Sequence, residues 1–298
     1  MSEADRQWTL AFLDDWTRAS RDYLDIPPEP VPKTVLFNAS CMWGLGDDRL
    51  EGRAHDGTVT LPNGARIPSD IIAVAMPGGE GQDPFFVLAL LDVWHQHPQA
   101  SKDPYLDTRI GSVALHEMIH VRQMPHLQSR IAGLTERFEL PSHLDDDVVE
   151  STYRDSTEFR SLFEAERDLL YRAVAESDPD RSRSMVRDAA AMAAHRHERF
   201  YTGRQAVYAE LEGIFLNMEG IGEWMRYRSH LSSTEWPHTA PDVIAFLRGT
   251  DNSWSQDEGL ALVLLLDRFV PDWKARLMGP SMPSPWTLLQ EAVAEEMR

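Results

Sequence analysis

His116-Glu117-Met118-Ile119-His120 sets two histidines four residues apart, with a glutamate directly after the first. An α-helix turns about 100° per residue, so positions four apart stack on one face. Two imidazoles so placed can grip one Zn²⁺, and the neighbouring carboxylate can serve as general base toward a bound water. The competing interpretation is a core helix whose histidines find ordinary hydrogen bonds. It leaves a glutamate between them in the core still to be explained.

The flanking residues suit a buried helix. Ile110, Ala114, Leu115, Met118, Ile119 and Val121 cover nearly every direction of a helical projection except the stripe that holds His116 and His120. Arg122 and Gln123 break the apolar run, and Pro125 predicts a helix end just before it.

A catalytic zinc usually keeps three protein ligands and one open position, so a third ligand is expected elsewhere, and three residues qualify. Glu219 lies in a helical segment over 204–230, on a stripe with Tyr208, Glu212, Glu223, Arg226 and His230. Gly213 and Gly220, seven apart in that segment, would let another helix approach closely. Glu223, one turn beyond Glu219, could orient a ligand histidine. The alternative for this segment is an amphipathic helix with a solvated polar stripe. His126 completes the spacing H-E-x-x-H-x-x-Gln-x-x-H, the metzincin spacing but with Gln123 where a glycine would allow a sharp turn. Glu258, in Asp257-Glu258-Gly259-Leu260-Ala261, resembles a ligand-bearing E-G-x-A turn, although the apolar run Leu260–Leu266 after it looks like a plain buried helix.

His116-Glu117-x-x-His120 followed by the distant Glu219-Gly220-x-Gly222-Glu223 resembles the gluzincin branch of the zinc metallopeptidases. The resemblance covers about ten residues on two segments. It implies a zincin-like fold with His116, His120 and Glu219 as metal ligands, Glu117 as general base, and Glu223 as a histidine-orienting acid. The interval from His120 to Glu219 is far longer than in the best-known members, and Arg122 stands where zincins usually carry an apolar residue.

A zinc-dependent hydrolase acting on a peptide or another amide bond is therefore expected. The alternatives are a hydrolase of a small non-peptide amide in a biosynthetic pathway, or a zincin-like interaction protein without turnover. A tetrahedral oxyanion needs a donor besides the metal; His230 and Arg226 are the first candidates, Tyr208 and Tyr227 weaker ones. A substrate peptide can add as a strand at a sheet edge. Asp83–Leu90 could provide that edge, though its continuous apolar run equally suits a central strand. The turn Met76–Gly81 reads as a connector, and His95, His97, His195 and His197 read as surface histidines.

Around these residues the predicted layout is α+β, with a small sheet-bearing N-terminal lobe over 1–130 that carries the motif helix and a helical C-terminal lobe over 131–298. Short strands are predicted at Thr34–Phe37, Thr58–Leu61, Ile71–Ala75 and Phe85–Leu90, with a hairpin through Asn63-Gly64. Helical periodicity covers 6–24, 145–177, 185–201, 204–230, 257–269 and 285–298. Ile26–Pro32 reads as a stiff extended linker. A net charge of −19 argues against nucleic acid or an anionic membrane as partner. No apolar run approaches bilayer length, no secretory signal is visible at the start, and the single Cys41 excludes an internal disulfide, so a cytoplasmic protein is expected.

Overall fold

A computed structural model of the chain describes residues 1–27, 31–45, 52–141, 144–233, 239–249 and 253–295. The architecture is α+β, with the strands confined to the N-terminal part. Among the described residues no helix is long and apolar enough to cross a membrane. The chain divides into two compact units, Met1–Pro125 with Arg228–Thr234, and His126–Tyr227 with Glu235–Arg298. Residues 28–30 of the expected linker and 296–298 of the expected last helix lie outside the described residues.

The first unit holds α1 (Glu3–Asp22), which turns Phe12, Trp16 and Ala19 inward from a Ser2 cap. Seven strands follow: β1 (Thr34–Phe37), β2 (Cys41–Leu45), β3 (Arg53–Ala54), β4 (Thr58–Thr60), β5 (Arg66–Pro68), β6 (Ala73–Met76) and β7 (Phe85–Ala89). Five of them form a mixed sheet in the order β3-β2-β1-β7-β6, with β1 and β7 parallel and the other neighbours antiparallel. Every residue of β1 and β7 is buried, as unbroken apolar runs require of strands with neighbours on both sides. The run over 83–90 is thus a central strand and offers no edge for a substrate; the edge strands are β3 and β6. β4 and β5 form the expected hairpin, where Gly64 supplies a φ of +85° and Asn63 accepts a hydrogen bond from the Ala65 amide at 3.1 Å.

A short helix, α2 (Leu91–Gln96), leads to α3 (Leu106–Phe138), 33 residues long with Pro125 in its interior. The predicted stop at Pro125 does not occur. An interior proline costs about 3 kcal/mol through the lost N–H and the ring clash. Beyond it, Leu127 and Leu134 are buried with Val207, Leu211, Ile214, Phe215 and Met282, while Ile131 and Phe138 pack alongside. Full burial of one leucine is worth roughly 1.5–3 kcal/mol, so four apolar residues at helical spacing outweigh the proline. The division between the two units falls at this proline.

The second unit is helical: α4 (Val148–Tyr153), α5 (Thr157–Ala175), α6 (Pro179–Phe200), most of α7 (Val207–Ser232), α8 (Ala240–Arg248), α9 (Trp254–Phe269), α10 (Trp273–Leu277) and α11 (Pro285–Glu295). The helix expected over 145–177 is broken at Ser156, whose hydroxyl caps α5 by accepting from the Phe159 amide. α6 starts earlier than its periodicity suggests because Asp178 caps it and Pro179 fills its first turn. α9 likewise starts early, from a capping box in which Ser253 and Gln256 bond each other's backbone amides.

Candidate metal centre

On α3, the apolar residues around the motif do what their spacing implies: Ile110, Ala114, Leu115, Met118 and Ile119 are at most 2% exposed. They carry His116 and His120 into the interior, where the two ring centroids stand 4.4 Å apart with planes 79° to each other. Nδ1 of His120 faces Oε1 of Gln123 at 3.1 Å. An amide oxygen only accepts, so Nδ1 is the donor in this bond, and in the neutral imidazole that leaves the lone pair on Nε2. Gln123 stands one turn after His120, on the same helix face. Glu117, half-buried, has Oε2 bonded by the backbone amide of Ala75 on β6 at 2.8 Å. That N–H points away from β7, along the free edge of the sheet.

Helix α7 is buried around almost its whole circumference between Leu211 and Arg226. Glu219, Glu223, Arg226 and His230 form one stripe along it and are all buried, so the solvated-stripe alternative does not hold. Within the stripe, Arg226 Nη1 pairs with Glu223 at 2.7 Å, leaving two buried charges matched. Glu219 Oε2 accepts a hydrogen bond from Gln256 Nε2 on α9 at 3.0 Å. The reach is short because α7 and α9 touch backbone to backbone. A methyl group added at Gly220 would lie 2.6 Å from the Gly259 carbonyl oxygen, and one at Gly259 would lie 2.8 Å from Gly220 Cα. Gly213, seven residues before Gly220 on α7, faces Ser284.

One ligand-capable atom from each of His116, His120 and Glu219 lies within 4.8 Å of the others, and this is the only such group among the described residues. Bonds of about 2.0–2.1 Å in a tetrahedral arrangement put zinc donors roughly 3.3 Å apart, inside the 4.8 Å limit that bounds this group. Two imidazoles and a carboxylate in a buried setting form a donor set suited to a borderline-soft divalent metal. His126 is not in the group. Because α3 stays helical through Pro125, six residues carry His126 about 120° around the axis from His120. The sharp turn required by the metzincin spacing is missing.

Glu258 is not in the group either. It is fully buried on α9 and accepts a hydrogen bond from Trp286 Nε1 at 2.9 Å. It belongs with a second buried polar cluster that the sequence did not reveal. Arg196, fully buried, binds Glu166 and, at 2.7 Å, Glu212, while Tyr201 and His197 also bond Glu212. His197, expected as a surface histidine, is half-buried and partners Glu212. Burial works to raise the Glu212 carboxyl's pKa, yet Arg196 and His197 hold it down to about 2. Burial raises Glu166 to about 7 against the pull of Arg196. Burial and the nearby Glu166 push Glu258 well above the carboxylate range. Of the weaker donor candidates, Tyr208 lies half-buried against Tyr153 and bonds Thr152, and Tyr227 is half-buried.

No family model matches this chain, and neither the curated proteins nor the solved structures contain a match to it.

Proposed function

We propose that the protein is a zinc-dependent metallohydrolase of gluzincin-like type that cleaves a peptide or another amide bond, with His116, His120 and Glu219 as metal ligands. The observation that carries this reading is the convergence of those three buried side chains, with Glu117 beside the first histidine. Zn²⁺ bound there would supply Lewis acidity and a water of lowered pKa. Glu117 takes the proton from the attacking water and passes it to the leaving nitrogen, the ordinary work of a general base turned general acid. Its Oε2 is anchored on the Ala75 amide, which fixes the carboxylate without neutralising it. His230 and Arg226, on the Glu219 stripe, are the donors proposed for the oxyanion, and Glu223 holds the Arg226 guanidinium in place.

The test is elemental analysis of purified wild type beside Glu219→Ala and Glu117→Gln, together with a peptide- and amide-library screen. About one zinc per wild-type chain is expected, lost in Glu219→Ala and kept in Glu117→Gln, with hydrolysis abolished by both. Wild type without zinc after reconstitution would refute the metal reading. Zinc bound with turnover undiminished in Glu117→Gln would refute the mechanism.

A further inference from the structure

Two ligands of the proposed centre are each gripped by a glutamine. Gln123 Oε1 stands 3.1 Å from His120 Nδ1, and Gln256 Nε2 stands 3.0 Å from Glu219 Oε2. The two amides are used with opposite ends, as the chemistry of each ligand demands. The histidine N–H needs an acceptor and meets the amide oxygen; the carboxylate needs a donor and meets the amide NH₂. Gln256 has no freedom to present its other end. Its Oε1 accepts the Ser253 backbone amide at 3.2 Å as the third residue of α9 in the capping box, so only Nε2 is left to face Glu219. The Gly220–Gly259 crossing brings the two helices near enough for that bond, directly beside Glu219.

We infer that Gln256, oriented by the α9 capping box, and Gln123, one turn beyond His120, are positioning residues that hold Glu219 and His120 for the metal. This rests on the proposed His₂Glu reading. Outer partners of metal ligands are typically worth 10- to 100-fold in affinity. A purely structural role for Gln256, as a helix cap, would leave metal affinity alone. Two substitutions separate the roles. Gln256→Met removes the donor to Glu219 and half of the capping box. Ser253→Ala removes the other half, the hydroxyl that accepts the Gln256 amide at 3.4 Å, and keeps the backbone N–H that orients the glutamine.

The experiment is Zn²⁺ and Co²⁺ affinity by chelator competition on the full chain, with the Co²⁺ visible spectrum as a report of ligand geometry. Gln256→Met is expected to weaken both metals 10- to 100-fold and to change the Co²⁺ spectrum, while Ser253→Ala stays within about twofold of wild type. Gln123→Met supplies the same test at His120, with the same expected loss, should Gln256→Met not fold. Variants that bind metal as tightly as a metal-binding wild type overturn this inference alone. A wild type that binds neither metal overturns the His₂Glu reading and this inference with it.

Discussion

Gly220→Ala sets two physical rules against each other. Alanine is the better helix former by about 1 kcal/mol, so a helix considered alone would be stabilised. At Gly220 the new methyl carbon would sit 2.6 Å from Gly259 O, 2.8 Å from Gly259 C and 3.0 Å from Gly259 Cα. Ordinary contact begins at 3.4 Å, so the nearest atom is about 0.8 Å too close, and all three atoms are backbone that cannot rotate aside. Overpacking of this kind costs about 1–3 kcal/mol. A comparable separation of α7 and α9 would stretch the 3.0 Å Gln256–Glu219 bond past hydrogen-bonding range. A hydrogen bond to a charged group is worth about 1.5–3 kcal/mol. Subtracting the propensity gain leaves a net loss of about 1.5–5 kcal/mol, a fall of several degrees in Tm. The controls are Gly111→Ala and Gly133→Ala on α3, where an added methyl meets nothing within 4 Å and a gain of up to about 1 kcal/mol is expected. Thermal and urea unfolding of all three, followed by circular dichroism, read the result. If Gly220→Ala unfolds at or above the wild-type midpoint, the close crossing does not constrain the protein and the reasoning fails.

The buried carboxyl cluster should leave its mark on stability as a function of pH. Glu166 and Glu258 have folded pKa values above their unfolded ones, so their contribution is complete below about pH 4.5 and is lost as pH rises, through about 7 for Glu166 and further for Glu258. Glu212, held down to about 2, acts in reverse and loses its contribution only as pH falls from about 4.5 toward 2. Stability should therefore decline from about pH 5 toward pH 8, by up to about 1.4 kcal/mol per pH unit for each retained proton. Glu258→Gln, which mimics the neutral acid, should flatten that decline; a wild-type stability that rises over this range would contradict the assignment. Arg196→Met would strand Glu166 and Glu212 and should cost about 3–5 kcal/mol in urea unfolding, whereas a near-neutral effect would mean the cluster is not held by its cation. Pro125→Ala should raise stability by about 2 kcal/mol, the helix gain less the entropy that proline removes from the unfolded chain. An unchanged or lower Tm would show that α3 depends on its proline.

The motif helix, the strands β1 and β7, the Asn63-Gly64 hairpin and the helical C-terminal part were legible because local pattern and tertiary need agree there. Pro125 misled because the helix-breaking rule is local, while the apolar positions 127, 131, 134 and 138 that override it act through packing. The three-residue strand β4 and the five-residue strand β2 show the limit of alternation. β4 follows its pattern, but β2 contains Gly44 and is fixed mainly by pairing with β1. Glu219 could be picked out because its stripe and the flanking glycines are periodic features of a single helix. The partners of the site could not. Gln256 touches Glu219 from 37 residues away, and no one-dimensional pattern encodes that pairing. One signal was nevertheless present: Ser253-x-x-Gln256 is a capping-box spacing that marks the true start of α9. The Arg196 cluster stayed hidden because a buried arginine is read as a surface one until its carboxylate partners are located.

The bond from Ala75 to Glu117 has a consequence for how this chain meets its own copies. A sheet edge with open amides invites a strand from another molecule, and among the described residues β6 has no strand on its outer side. Glu117 takes the Ala75 amide and sets a charge against that edge, so the proposed proton carrier also acts as its guard. Glu117→Gln keeps an acceptor oxygen there and should stay as monodisperse as the parent in sedimentation. Glu117→Ala opens the amide and removes the charge, and should self-associate as concentration rises. Selection against such edge-to-edge assembly would preserve a hydrogen-bond acceptor at position 117, glutamate or glutamine, even in a descendant that had abandoned hydrolysis.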